Sequence, residues 1–385
     1  MVNKSRLLKL TQQLIQINSE NPPGNEVRIV NFVRKYLLDL GLRVRVYEFK
    51  KNRPNIIGYL EKRVGKGSLL ITPHLDTVPA GKHWKVDPFL GRIIKDKIYG
   101  LGATDCKGNL ACALEAINSL VEDKRILDYN LIFAATADEE SGSDFGLIPL
   151  LKKKILKPDA ALVLDAEEFE IIVNQKGLIH LKLKLEGVRA HGASPELGVN
   201  AIDIAMSVIK DIRAYKFPYI KNKYLKPPTI NVGSIKGGDK VNVVADWCEV
   251  ELDFRFLPGT KACEILKVLK NILKKNARKF SLNNKIRLKT GKIEIEGIQE
   301  PYSISERHFL VKGLTNSLRV LGIKACLYGS EGATVITFFQ DQSIPAIATG
   351  FGARGCAHVS NEYIKLSDLY KGAQVLENFL VNHKS

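Results

Sequence analysis

No apolar run in this chain of 385 residues approaches the roughly 20 residues that cross a bilayer, so no membrane span is expected. The N-terminal segment MVNKSRLLKLTQQLIQIN lacks the apolar core and cleavage site of a signal peptide. It reads as an amphipathic helix, and a cytoplasmic address is the expectation. The six cysteines are scattered with no C-x-x-C pair, which excludes zinc-ribbon spacing and gives no disulfide framework. Most are expected to be small buried hydrophobes. The G-x-S-x-G elbow of serine hydrolases and the helix-borne H-E-x-x-H zinc site are both missing. GLGATDCKG, residues 100–108, lacks the Walker pattern, so it is not read as a phosphate loop.

Acidic residues are outnumbered. Against 58 Lys and Arg stand 41 Asp and Glu, a net charge of +17. Such an excess suits nucleic acid, an acidic protein or an anionic small substrate. The densest runs, KNR at 51–53, KKK at 152–154 and KNILKKNARK near 270–279, carry no interleaved aromatics. A lysine-rich solvated surface is the plainer reading, and nucleic acid is not an expected partner.

What is present is an ordinary globular composition, 45% hydrophobic and 26% charged, with length enough for two domains. Val30, Val33, Leu37 and Leu40 recur at helical spacing before Gly41. Strand-like runs LRVRVYEF, NIIGYL and SLLIT follow, then a helix from about Lys107 with Leu110, Leu114, Ile117 and Val121 on one face. YNLIFAAT and DAALVLD read as buried strands. Strands alternating with helices predict an α/β sheet covered on both faces.

After Gln175 the pattern changes. GLIHLKLKLEG alternates apolar and polar, and a β-α-β-β-α order follows, closed by a strand expected at 285–290. From about 305 the α/β style resumes. The expected organisation is an α/β catalytic domain with a mixed sheet, residues 1–176 and 291–385, interrupted by an α+β, ferredoxin-like domain at 177–290.

SLLITPHLDTVPAG, residues 68–81, ends an apolar strand in His74 and Asp76, two residues apart and so expected on one face. GLGATDCKG offers Asp105, ATADEESGS offers Glu139 and Glu140, LVLDAEE offers Asp165 and CAHVSNE offers His358. Each lies at or just beyond an apolar strand or beside a Gly-rich turn. That rim is where open α/β sheets bind ligands. Imidazole and carboxylate together suit zinc.

These five segments, in this order around an inserted domain, resemble the M20 family of metallopeptidases and deacylases over nearly the whole chain. The resemblance implies two divalent metal ions, zinc, with cobalt or manganese fitting the same donors. It assigns His74 to one metal, Asp105 to the bridge, and Asp165 and Glu140 to opposite metals. His358 would complete the second set. Asp76 would orient His74, as such rings require, and Glu139 would be the general base. GVRAHGASPELGVNAI resembles the family's lid, which would make His191 the oxyanion donor, often toward a partner subunit, and imply a homodimer. Asn242 is a substrate contact by the same resemblance, in a stretch where the family usually has Pro at the position of Ala245. Asp253 and Arg255 are expected to hold that domain together.

Lys176 and Arg354 are candidate partners for a substrate carboxylate, Arg354 by a bidentate pair. Asp at position 165, where deacylases usually have Glu, favours a peptidase over an N-acyl-amino-acid deacylase. The expected substrate is an N-acyl amino acid or a short peptide. Two alternatives use the charge: a non-catalytic basic binding protein, or a hydrolase acting on an amino acid attached to an acidic carrier protein.

Overall fold

The runs LLI, LIF and ALVL become the parallel centre of a sheet in this computed structural model, which describes residues 1–60, 67–284, 288–289, 291–332 and 334–383. Ser68–Thr72 pairs in parallel with Asn130–Ala135 on one side and Ala160–Leu164 on the other. Ala346–Thr349 adds in parallel to Ala160–Leu164. These strands are buried on both faces, which is why they read as continuous apolar runs and not as alternation. Pro54–Leu60 and then Arg43–Glu48 extend the sheet antiparallel. The strand from Glu170 joins Ala346–Thr349 antiparallel, so the sheet is mixed, as expected.

Parallel strands end on the same side. The residues that follow Thr72, Ala135, Leu164 and Thr349 therefore emerge along one rim, and all the candidate ligands except Asp105 come from those loops. Asp105 comes from the loop that enters the helix Lys107–Glu122.

That helix is buried from Lys107 through Leu120 and packs against Lys4–Ile15 and Leu366–Asn382. An apolar stripe on one face was the expectation; the whole circumference is covered instead. The reason is its small residues, Gly108, Ala111, Cys112, Ala113 and Ala116, which let neighbours approach on every side. A Cβ at Gly108 would lie 2.2 Å from the Ala103 carbonyl oxygen.

Two compact units divide the chain: Met1–Val173 with Ile304–Tyr328 and Thr334–Ser385, and Asn174–Ser303 with Gly329–Ala333. The second unit holds an antiparallel sheet in the order Thr229–Gly237, Trp247–Phe256, Gly177–Glu186, Lys292–Gln299. This is the split β-α-β order of a ferredoxin-like domain. One face packs on Ala201–Ala214 and Ala262–Asn284 through Leu181, Leu183, Val208, Val250, Phe254 and Leu269. On the other face Lys182 pairs with Glu251 and Glu296, and Lys184 with Glu249 and Glu294. The closing strand starts at Lys292, beyond the expected 285–290, of which 285–287 and 290 lie outside the described residues.

Among the described residues, no helix is long and apolar enough to cross a membrane. Cys106, Cys112, Cys248 and Cys356 are buried, while Cys263 and Cys326 are exposed. Arg53, the last residue of the KNR run, is not part of a basic surface. It is buried, with Nε 2.8 Å from Glu26 Oε2 and Nη2 2.9 Å from Asp138 Oδ1.

Candidate metal centre

Thr72 ends the strand proper, and His74 continues it through an isolated parallel bridge to Thr136. This carries the imidazole to the rim. Its Nδ1 lies 2.9 Å from the Asp76 backbone carbonyl oxygen. A carbonyl can only accept, so Nδ1 carries the hydrogen. Nε2 lies 2.8 Å from Asp105 Oδ1, donates to that carboxylate when the ring is charged, and is the nitrogen left to take a metal ion. The Asp76 carboxylate stands 3.7 Å from Nδ1, so the backbone of Asp76 makes the closer contact with the ring.

The Asp76 side chain has other work. Its Oδ1 accepts the Glu139 N–H and its Oδ2 the Glu140 N–H, each at 3.1 Å, and Asn21 Nδ2 donates to Oδ2 at 2.8 Å. Both glutamates are thereby held by their backbone, with their side chains left for the site. Asp138 makes the approach possible. It adopts a left-handed backbone, φ 67°, which Asp tolerates better than most residues. Its Oδ2 accepts the Phe145 N–H at 3.0 Å, closing the turn.

Asp105 stands at the centre. Oδ1 meets His74, and Oδ2 lies 3.3 Å from His358 Nε2, which is also 3.0 Å from Glu140 Oε2. One donor atom from each of His74, Asp105 and Asp165 falls within 4.8 Å of the others, and the same holds for Asp105, Glu140 and His358. The two triads share Asp105. His74 is nearly inaccessible at 2% of its side chain, whereas His358 is 53% exposed, so the second triad opens to solvent.

The electrostatics fit cations. Burial pushes the Asp165 carboxyl up to about 7, with the charge of Asp105 adding to the shift. Burial and then Asp165 likewise raise Glu139 well above the usual range. Burial works against the Asp105 carboxylate too, but hydrogen bonds from His358 and His74 overcome it and hold its pKa down. Hydrogen bonds to Asp105 and Glu140 raise His358 to about 10. Four carboxyls crowd two imidazoles, so protons must do what divalent ions would do better. The donor set, nitrogen and oxygen without thiolate, suits zinc, cobalt or manganese.

The remaining candidates are held within their own units. In the first unit Arg354 donates to Glu168 Oε2 at 2.9 Å, to Glu170, and to the Tyr328 hydroxyl at 3.0 Å. In the second unit Lys176 is buried, its Nζ donating to the Pro227 carbonyl at 2.7 Å and pairing with Glu331 at 2.6 Å. A substrate carboxylate would have to displace carboxylates already in place at both. His191 and Asn242 lie together in the second unit. The Gly192 N–H donates to the Asn242 carbonyl at 2.8 Å, and the Ala193 N–H to His191 Nδ1 at 3.0 Å. Arg255 Nε donates to Asp253 Oδ1 at 2.7 Å. Asn21, Arg53, Asp138 and Glu362, all buried around these loops, were not among the expected site residues.

A mixed α/β unit with two carboxylate–histidine triads beside its strand-end rim offers candidate ligands for a metallohydrolase-type centre. The family model for Peptidase family M20/M25/M40 matches residues 70–382, and the chain belongs to that family. It is an M20-type hydrolase of peptide or other amide C–N bonds. Acetylornithine deacetylase of Aliivibrio fischeri is 28% identical over 382 residues, covering 97% of this chain and 96% of that one. A tripeptidase from Staphylococcus aureus superposes with a TM-score of 0.80 at 26% identity, covering 99% of both chains. Aminopeptidase PepT from Bacillus cereus also gives 0.80, at 24% identity, covering 99% of this chain and 98% of that one.

Proposed function

We propose that this enzyme cleaves the amide bond of a short peptide or an N-acyl amino acid at a centre holding two divalent metal ions. The observation that carries the reading is the pair of triads sharing Asp105. His74, Asp105 and Asp165 hold one ion, and Asp105, Glu140 and His358 the other. Bound there, such ions act as Lewis acids toward the scissile carbonyl and lower the pKa of water.

Glu139 belongs to neither triad and is the general base. It takes a proton from the attacking water at its carboxylate and passes it to the departing nitrogen as the C–N bond breaks. The Asp76 carboxylate keeps Glu139 and Glu140 apart in role by fixing both backbones. His191 is assigned the oxyanion by resemblance. The Ala193 N–H occupies its Nδ1, so the hydrogen of the neutral ring is on Nε2, as a donor requires. Asn242 is assigned a substrate contact on the same basis.

Arg354 and Lys176 remain candidate substrate-carboxylate partners, each by exchange of its present carboxylates. The peptide reading is favoured by Asp at position 165 and by the tripeptidase likeness. Zinc, a dimer formed through the second unit and a cytoplasmic address belong to the same proposal.

The test is hydrolysis of N-acetyl and N-succinyl amino acids beside unblocked di- and tripeptides, with zinc, with chelator, and with Glu139→Ala. Metal-dependent turnover lost in the variant supports the reading, and the half of the panel consumed decides between deacylase and peptidase. Turnover that survives chelation or the substitution overturns it. Cleavage confined to an aminoacylated acidic protein would move the substrate to a carrier.

A further inference from the structure

Glu362 is 1% exposed and carries no basic side-chain partner in an ion pair among the described residues. Its carboxylate is nevertheless well satisfied. Oε1 accepts the N–H of Thr104 at 2.7 Å and of Asp105 at 2.9 Å, and Oε2 accepts the N–H of Gly102 at 2.8 Å. A single side chain thus gathers three backbone donors from the loop that ends in Asp105.

The surroundings tighten this grip. The Glu362 carbonyl accepts the Gly100 N–H at 3.0 Å, and Tyr363 pairs with Tyr99 in a short sheet. The Thr104 hydroxyl donates to the Tyr363 carbonyl at 2.8 Å and accepts the Ala353 N–H at 3.2 Å. Gly102 needs its glycine. It sits at φ 82°, and a Cβ there would stand 2.9 Å from Thr77 and 3.0 Å from Lys107. The loop has one shape, and Glu362 is the group that most of its donors face.

Asp105 has to present Oδ1 and Oδ2 in different directions, toward His74 and toward His358. A free loop would spend binding energy on finding that pose. We propose that Glu362 is a positioning residue for the metal centre, holding the Gly102–Asp105 backbone so that Asp105 is set as the shared ligand before any cation arrives. The inference rests on the reading of Asp105 as that ligand. His358 lies four residues before Glu362, so one short segment would supply a ligand to the open triad and set the residue common to both.

The experiment compares wild type, Glu362→Gln and Glu362→Asp by cobalt and zinc binding against a chromophoric chelator, with the cobalt absorption spectrum recorded. Glu362→Gln turns one oxygen into an N–H₂ facing backbone donors. Metal affinity is expected to fall about 10–100-fold, with an altered cobalt spectrum, as for other groups that orient ligands. Glu362→Asp keeps the carboxyl group with a shorter reach, and an intermediate loss is expected. Tyr129→Phe is the control for general destabilisation. It removes the hydrogen bond from the Tyr129 hydroxyl to the Leu380 carbonyl, a bond that involves neither Glu362 nor the Gly102–Asp105 donors, and should lower Tm while leaving affinity unchanged.

A wild-type measurement needs no variant to fold. In the metal-free protein the amides of Gly102, Thr104 and Asp105 should already be protected from hydrogen exchange. Fast exchange there, or wild-type affinity and spectrum in Glu362→Gln, overturns the proposal. A wild-type chain that takes up no metal would instead overturn the reading beneath it.

Discussion

His74 Nδ1 lies 2.9 Å from the backbone carbonyl of Asp76, while the carboxylate of the same residue accepts the N–H groups of Glu139 and Glu140. One residue therefore serves two parts of the site through two different groups. The carbonyl sets the tautomer of the ring, and the carboxylate sets the turn that carries Glu139 and Glu140.

This division has a consequence for Asp76→Asn. The backbone carbonyl survives, so His74 should keep its Nδ1–H, seen as an unchanged ring tautomer by NMR. The new amide faces donors, so the Glu139–Glu140 turn should loosen and kcat should fall about 10–100-fold. A shifted His74 tautomer would show that the carboxylate, and not the carbonyl, orients the ring.

Glu139→Gln should leave metal content unchanged and lower kcat by about 10²–10⁴-fold, the range for a lost general base. Loss of metal in that variant would make Glu139 a ligand and assign the base elsewhere.

Arg53 bridges Glu26 and Asp138 in the interior. Arg53→Met leaves two buried carboxyls without their cation, and should destabilise the first unit by about 3–5 kcal/mol. The denaturation midpoint should shift without a change in slope. Gly24→Ala is expected to act in the same direction. Gly24 sits at φ 76°, and a Cβ there would lie 2.3 Å from the Arg53 guanidinium carbon. A shift under about 1 kcal/mol for Arg53→Met would mean the carboxyls are hydrated or protonated without loss.

His383 gives a pH dependence that involves none of the candidate metal ligands. It packs against Tyr129, Phe309 and Phe379, and burial lowers its pKa from 6.5 to about 4. Between those values the unfolded chain binds a proton that the folded chain does not. Stability from this group is therefore complete above pH 6.5 and is lost as pH falls toward 4. At pH 5 the loss should be about 1–2 kcal/mol. Melting curves of wild type and His383→Phe at pH 7 and pH 5 check it. The variant should lose less on acidification, and equal losses would contradict the burial argument.

The sequence pointed to the candidate ligands where side chains act as themselves. His74, Glu140, Asp165 and His358 follow apolar runs, Asp105 sits beside a Gly-rich turn, and the continuous hydrophobicity of those runs fits strands buried on both faces. What escaped the sequence acts through the backbone or through distant partners. Glu362 works by accepting three N–H groups, which no spacing announces. Arg53 looked like one of many surface cations because Glu26 and Asp138 are remote in sequence. The partners of Lys176 and Arg354, Glu331 and Glu168, lie more than a hundred positions away. The strand Glu170–Gln175 and the small sheet of Arg92–Ile94, Lys97–Tyr99 and Tyr363–Lys365 were too short or too irregular to read.

The most direct measurement is the metal content of wild type and Asp105→Ala after exhaustive dialysis against metal-free buffer and one saturating zinc addition. If Asp105 is shared by two triads, wild type retains two equivalents per chain and the variant loses tight binding at both positions. One equivalent in wild type, or two retained without Asp105, would contradict a bridged centre.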